Sequence, residues 1–475
     1  MSCRYIQRIK LHSKPLFSLV VGLVVTFISF AAVLMFLLTL SNFASPNSIR
    51  NSITPDLTRL VDQGNHPIVF GNAAKYSLDR HTDAIMMNMA IPDRSLAVLE
   101  GAILAPVYDH LDEGGNSRLP VESLAVKVLD TSVDNNAFYL TYWHGYLVPL
   151  RAVLTVTSFF NIILLNFVLL TMLFAVVLEI FRRVGGWPAI PAMFIAFIFA
   201  AGWLIPQSVQ YANMFYLGLI ATIALYLLLR QEKKIIWLAC FFLATGMATS
   251  FFDFLTTPII TLIAPLTLLV MWEFKHQRQS VFKVVGLTIS WAFGYIVFWI
   301  LKWLVALQVH SPDFVNAMFN NSFSLRSGIS EESGIMQRVE AIRRNIYQLA
   351  WSPGPMNEGD FLSLRLLALI VVVAVVIWLA ILLLARLDLR RLSTAAPLLL
   401  LALAPYLWYF AISNHSYVHS WFTYRSQAVS IFATIMFIVL SIDWQNLSRR
   451  ALGLGKVKRS DRINLRKNSL DLMTR

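Results

Sequence analysis

The polar stretch from residue 41 to residue 146 has its densest group of ionisable side chains at 79–83, which reads Asp-Arg-His-Thr-Asp. Asp79 and Asp83 are four residues apart, so a helix would place both carboxylates on one face. Like charges at this spacing repel by roughly 0.2–0.5 kcal/mol. A cation, a phosphate-bound metal or a hydroxyl awaiting deprotonation would fit between them. The apolar continuation AIMMNMA would bury Asp83 and raise its pKa toward the range of a general base. The alternative is a solvated turn with capping aspartates.

A second concentration of polar and aromatic residues lies at 413–425. His415 and His419 have the i, i+4 spacing of residues that share a helical face, and Arg425 follows at the start of an apolar run. These three side chains are donors suited to a phosphate group. A metal site would need a third ligand such as Asp83. Packing at the membrane interface is the remaining interpretation.

Three further ionisable residues adjoin apolar runs. His144 and Arg151 are seven residues apart, close to two helical turns, and would share one face. Arg151 would lie at shallow depth in the membrane, where a charge is costly in lipid. Its side chain is therefore expected to face a cavity or a phosphate, or to reach the headgroups. The tyrosines around His144 are also typical of interfacial anchors. Asp253 is flanked by phenylalanines and is either a functional carboxylate or a helix cap.

The elements that must position these residues are membrane helices. The 475 residues are 57% hydrophobic and 14% charged, with a mean hydropathy of +0.64. Soluble domains are about 45–50% apolar and about 25% charged, so a water-soluble globular fold is excluded. The composition predicts an all-α polytopic membrane protein.

Ten apolar runs approach the roughly 20 residues that a membrane span requires. They cover 16–40, 147–181, 188–205, 212–229, 235–252, 256–272, 284–309, 362–385, 395–412 and 426–442. Two long polar loops, 41–146 and 310–361, separate them. Within the first loop, 95–111 and 121–129 carry apolar residues at helical spacing but are too short to span, which predicts interfacial helices.

The distribution of basic residues predicts the orientation. Most of the 39 Lys and Arg residues fall in the tails and in alternate short loops, so both ends are expected in the cytoplasm and both long loops outside. The predicted organisation is a cytoplasmic tail at 1–15, a membrane bundle at 16–442 and a basic tail at 443–475. That tail would bind anionic lipid, and no nucleic-acid partner is predicted despite the net charge of +13.

This layout resembles the GT-C superfamily of membrane glycosyltransferases. The shared features are a cytoplasmic N-terminus, one span, a long external loop with interfacial helices and an acidic cluster, and then a polytopic bundle. The resemblance implies that Asp83 acts as the general base, with Asp79 as its alternate. The spacing of the two acids departs from the adjacent or alternating acids of many members, which leaves this choice and any divalent-cation role open.

The same resemblance implies a sugar donor on a polyprenyl phosphate and an envelope glycan or lipid as acceptor. Arg151, His415, His419 and Arg425 would face the donor phosphate. Chemistry of this kind needs a groove between spans for the lipid, cations at headgroup depth and a carboxylate opposite them. The expected location is the outer face of a plasma membrane, in a bacterial cell.

Two other classes of function are compatible with the sequence. A transporter or lipid flippase predicts ionisable residues at mid-membrane depth, where Lys302 is the main candidate, and interrupted helices related by an internal repeat. A non-catalytic envelope scaffold predicts that single changes at Asp83 or Arg425 leave function intact.

Overall fold

The computed structural model describes residues 2–71, 73–111, 119–327, 334–349, 374–381, 388–444 and 447–448. The first loop and its flanks contain α1 (Ser2–Ser41), α2 (Pro46–Ile53), α3 (Leu57–Gln63), α4 (Arg80–Ala90), α5 (Val98–Leu104), β1 (Pro106–Val107), α6 (Pro120–Leu129), β2 (Ala137–Phe138) and α7 (Leu147–Leu154). The bundle continues with α8 (Phe159–Gly185), α9 (Ala189–Phe199), α10 (Val209–Arg230), α11 (Ile235–Phe252), α12 (Ile260–Lys275) and α13 (Val281–Val309). There follow α14 (Pro312–Ser327), α15 (Gly334–Tyr347), a helical segment α16 at 374–381, α17 (Leu389–Ala395), α18 (Pro397–Ala411), α19 (Ser413–Val418), α20 (Ser420–Thr423) and α21 (Gln427–Ser441).

Seven helices of the described chain are long and apolar enough to cross a membrane. They are Phe17–Ser41, Phe159–Gly185, Val209–Arg230, Ile235–Phe252, Val281–Val309, Leu389–Ala411 and Ser420–Ser441. Each overlaps a span predicted from the sequence. The predicted run 147–181 is divided, because α7 ends at Leu154 and α8 begins at Phe159. The prediction of an all-α, multi-pass membrane protein is therefore confirmed.

Three of the ten predicted spans are not among these seven. The run at 188–205 is interrupted: α9 has 11 residues, and Ala201, with φ of 47°, turns the chain into a 3₁₀ turn that contains Pro206. The run at 256–272 corresponds to α12, which has 16 residues. The run at 362–385 lies outside the described residues except for 374–381. The count of ten stays a prediction.

The first loop folds into a layer of short helices against one end of the bundle. The helix predicted at 121–129 is confirmed as α6, whereas the one predicted at 95–111 ends at Leu104. The reason is Ala105, whose left-handed φ of 50° redirects the chain into β1, which pairs antiparallel with β2. Ile103 and Leu124 are buried in one apolar core with residues of α1, α11 and α13. These helices therefore pack into the protein.

Two glycines bring α11 and α13 into backbone contact. A Cβ added at Gly246 would lie 2.0 Å from the carbonyl oxygen of Trp291, and one at Gly294 would lie 2.2 Å from that of Leu243. Small residues at such crossings allow membrane helices to approach closely. This crossing holds the middle of α11 against the middle of α13.

Candidate functional site

Asp83 joins the first loop to the beginning of α10. Its Oδ1 accepts hydrogen bonds from Ser208 Oγ and Val209 N, both at 2.9 Å, and from Gln210 N at 3.3 Å. Its Oδ2 accepts from Arg80 Nη1 at 3.0 Å. Burial raises the pKa of Asp83, and the contacts with Arg80, Ser208 and Gln210 oppose that rise by stabilising the carboxylate. Both carboxylate oxygens are thus engaged by the protein.

Asp79 caps the N-terminus of α4. Its Oδ1 accepts from Thr82 N at 3.0 Å and its Oδ2 from Thr82 Oγ1 at 2.8 Å. Burial raises the pKa of Asp79 to about 7, and the nearby charge of Asp83 adds to the rise while that of Arg425 opposes it. The expected sharing of a helix face is therefore modified: Asp79 precedes the helix, and the two carboxylates have different partners. The capping alternative holds for Asp79, but both side chains are buried and not solvated.

Arg425 lies in a 3₁₀ turn that leads directly into α21 and is fully buried. Its guanidinium donates to the carbonyl oxygens of Trp421 at 3.3 Å and Lys75 at 3.1 Å, and it lies over the ring of Tyr211 at 4.3 Å. Within the described residues, no carboxylate comes within 4 Å of it and its buried Nε has no hydrogen-bond partner. A buried cation with a free N–H is a suitable donor for an anionic oxygen.

An apolar cavity of about 490 Å³ opens among α8, α9, α10, α12 and α21. Aliphatic and aromatic side chains with a few threonines line it, among them Leu170, Trp203, Ile205, Phe215, Val429 and Phe432. Val429 is one helical turn after Arg425, and Tyr211, which supports Arg425, packs in one cluster with Leu170 and Ile205. One part of the cavity lining therefore lies next to Tyr211 and Arg425, which are themselves buried and do not line the cavity.

The structure places His144 and Arg151 away from this cluster. His144 has a φ of 57° and precedes α7, so it does not share a helix with Arg151. His144 Nε2 donates to the carbonyl of Tyr139 at 2.5 Å, and its Nδ1 is 2.9 Å from the hydroxyl of Tyr146. Burial lowers the pKa of His144 to about 3, so the ring is neutral. The expectation of a common helical face for these two residues was wrong because the chain turns at His144.

Arg151 and Lys302 hold the ends of loop helices. The Arg151 guanidinium donates to the carbonyls of Met89 at 3.0 Å and Ala90 at 3.2 Å, the last residues of α4. Lys302, on α13, donates to the carbonyl of Ile103 near the end of α5. Cations at helix C-termini satisfy free carbonyls and interact favourably with the helix dipole. These contacts explain how both buried charges are accommodated.

Asp253 and His415 both bind the turn at residues 253–256, which follows α11. The Asp253 carboxylate accepts from Thr256 N at 3.1 Å and from the Tyr295 hydroxyl at 3.2 Å, and burial raises its pKa to about 7. His415 Nε2 donates to the carbonyl of Leu255 at 3.1 Å. The rings of His415 and His419 lie 4.6 Å apart, as their spacing predicts. No set of three or more His, Cys, Asp or Glu side chains in the described part of the chain is arranged to hold a metal ion.

Sequence reasoning missed several members of the Asp79–Arg425 cluster. His66 lies 3.8 Å from Asp79, its ring stacks on His81 at 5.5 Å, and Trp421 packs edge-on against it at 5.2 Å. Nothing in the local sequence singles out His66, because its partners are distant along the chain. Ser208 carried a usable signal, since a serine directly before an apolar helical run is a typical N-cap.

A scan against protein-family models, a search of curated proteins and a search of solved structures each found no match to this chain.

Proposed function

We propose that the chain is a membrane glycosyltransferase that moves a sugar from a polyprenyl-phosphate donor to a cell-envelope acceptor. The observation that carries this proposal is the position of Arg425, which lies one helical turn from Val429 of the cavity lining and near enough to Asp79 for their charges to interact. This arrangement offers one place each for an apolar chain, an anionic group and a base.

The donor would place part of its prenyl chain in the cavity and its phosphate against Arg425. The apolar lining favours a hydrocarbon chain, and burial of each methylene contributes about 0.8 kcal/mol. The free Nε–H of Arg425 supplies a charge-assisted hydrogen bond to the phosphate. The same contact stabilises the negative charge that develops on the leaving phosphate.

Asp79 is the better candidate for the general base. Its carboxylate is engaged only by Thr82 in hydrogen bonds of the described residues, and its pKa of about 7 suits proton abstraction near neutral pH. Asp83, the first choice from the resemblance, is occupied by four donors. In the reaction, Asp79 accepts the acceptor hydroxyl proton while that oxygen attacks the anomeric carbon. The bond from that carbon to the phosphate oxygen breaks, and a single displacement inverts the anomeric configuration.

The topology proposed with this function has ten spans and both ends in the cytoplasm. Basic residues flank the ends of α8, α10 and α12 that lie away from the first loop, which supports a cytoplasmic location for those ends. The cluster of Asp79 and Arg425 would then face outward from a plasma membrane, where an envelope acceptor is present. The organism proposed is bacterial.

Surface-glycan composition in a deletion strain tests the function. The strain is complemented with wild type, Asp79→Asn, or Asp62→Asn as an exposed carboxylate of the same loop. We expect a sugar that disappears on deletion to return with wild type and Asp62→Asn but not with Asp79→Asn at equal membrane abundance. Unchanged glycans in every strain would reject the transferase.

A further inference from the structure

His66 lies between the buried base and solvent. Its Nδ1 is 3.8 Å from Asp79 Oδ1, and its side chain is 48% exposed whereas that of Asp79 is 2% exposed. A buried carboxylate that has taken a proton needs a path along which to release it. His66 is the titratable neighbour that reaches both the carboxylate and water.

The ring of His66 is held in place from several sides. A ring N–H donates to the carbonyl of Leu78, the plane stacks on His81 and the edge meets Trp421. A neutral imidazole that donates through one nitrogen keeps the other as an acceptor. Burial lowers the pKa of His66, and the contact with Leu78 opposes that change.

Charged and titratable side chains surround the pair formed by Asp79 and His66. Asp79 feels the charges of Asp83 and Arg425, and His66 itself faces Asp79 and His81. Burial lowers the pKa of His81 to about 4, so His81 remains neutral and does not compete for the proton. Asp79 and His66 are therefore the two groups between which the proton would pass.

We propose that His66 is a positioning and relay residue that returns the catalytic proton from Asp79 to the outer solvent after each sugar transfer. This rests on the function proposed above. The proton that Asp79 takes from the acceptor hydroxyl passes from its carboxyl group to the free nitrogen of His66 through a bridging water molecule, because 3.8 Å is too long for a direct hydrogen bond. The imidazolium then releases it to bulk water. Both groups return to their starting states, and no oxidant, reductant or further reactant is required.

The test measures the pH dependence of transfer in right-side-out membrane vesicles. Their endogenous lipid-linked sugar is radiolabelled, and the rate at which label leaves polyprenyl phosphate is recorded. The variants are His66→Gln and His66→Phe, of which the second keeps an aromatic ring against Trp421. His310→Gln, at an outer histidine remote from Asp79, is the control.

We expect both His66 variants to slow transfer near pH 7 on the order of tenfold, less than the 10²–10⁴ that a direct acid–base group contributes. Added imidazole and higher pH should restore the rate, because a mobile base or hydroxide can take the proton from Asp79. A merely structural role would give a loss that neither imidazole nor pH repairs, and this result would overturn the relay.

The two proposals fail in different ways. Wild-type vesicles that transfer label, with His66 variants following the wild-type pH profile, would overturn the relay and leave the transferase standing. Wild-type vesicles that transfer no label would overturn both.

Discussion

The carboxylate of Asp83 caps α10 from a distant part of the chain, with Oδ1 2.9 Å from the hydroxyl oxygen of Ser208. The backbone N–H of Val209 donates to the same oxygen. Asp83 and Arg80 also form a buried ion pair. A negative charge at a helix N-terminus is favourable, so Asp83 fixes α4 to a membrane-spanning helix. Its neighbour Asp79 is then positioned by the same contact.

Asp83→Asn should destabilise the protein far more than Asp79→Asn. Removing one partner of a buried ion pair costs about 3–5 kcal/mol, because Arg80 would keep an uncompensated charge. Asparagine serves as an N-cap almost as well as aspartate, so Asp79→Asn should cost less than about 1 kcal/mol. Thermal unfolding of the purified variants in detergent checks this, with Asp62→Asn as control. Equal unfolding temperatures for the two variants would contradict the assignment of Asp83 as the structural member of the pair.

Activity and stability should respond to pH in opposite directions through Asp79. Its pKa is raised from 3.8 to about 7, so the folded state binds more protons than the unfolded state between these values. The contribution of Asp79 to stability therefore falls as pH rises from about 4 to about 7. The rate of transfer should rise through about pH 7 as the base ionises. Unfolding temperatures of wild type and Asp79→Asn across this range give the difference, and parallel curves would show that Asp79 is not the titrating group.

Arg425→Gln should weaken the binding of polyprenyl phosphate by about 10- to 100-fold. A hydrogen bond to a charged group contributes about 1.5–3 kcal/mol, and glutamine has neither the charge nor the cation–π contact with Tyr211. Native mass spectrometry of the purified protein with added polyprenyl phosphate measures the effect. Arg183→Gln, at an exposed position of α8, is the control and should bind as wild type does. Equal affinities for all three proteins would remove Arg425 from the donor site.

Val429→Trp should exclude lipid from the apolar cavity. The indole would fill space that Val429 now leaves open among Leu170, Phe215 and Phe432. If the cavity holds the prenyl chain, prenyl lipid should copurify with wild type and with Leu407→Trp, on an exposed part of α18, but not with Val429→Trp. Lipid extraction followed by mass spectrometry makes the comparison. Retention of prenyl lipid by a folded Val429→Trp protein would place the prenyl chain elsewhere.

Alanine substitutions at two glycines of α13 should have different effects on the unfolding temperature. A Cβ at Gly294 would collide with the backbone of α11, whereas a Cβ at Gly286 meets nothing within 4 Å. Gly294→Ala should therefore lower the unfolding temperature, and Gly286→Ala should leave it unchanged or raise it, since alanine favours a helix by about 1 kcal/mol over glycine. Matching effects of the two substitutions would argue against the close crossing of α11 and α13.

The spans were predictable because a long apolar run has few alternatives in a membrane. The interruption at Ala201 and Pro206 was signalled only in part, since prolines mark a break but do not give its geometry. The site was less predictable because its contacts join distant residues. Asp83 was singled out for its burial, but the sequence holds no sign that Ser208 occupies its carboxylate. The sequence likewise indicated that Arg151 is a buried cation. That it binds the carbonyls of Met89 and Ala90 at the end of α4 follows only from the fold.

The lipid-linked sugar pool tests the central claim most directly. Polyprenyl-phosphate sugars are extracted from the deletion strain alone and from the same strain complemented with wild type, Asp79→Asn or Asp62→Asn, and they are quantified by mass spectrometry. If the protein consumes such a donor through Asp79, one polyprenyl-phosphate sugar should accumulate in the deletion and Asp79→Asn strains and stay low with wild type and Asp62→Asn. An identical pool in all four strains would contradict the assignment of this chain as a transferase that uses a polyprenyl-phosphate donor.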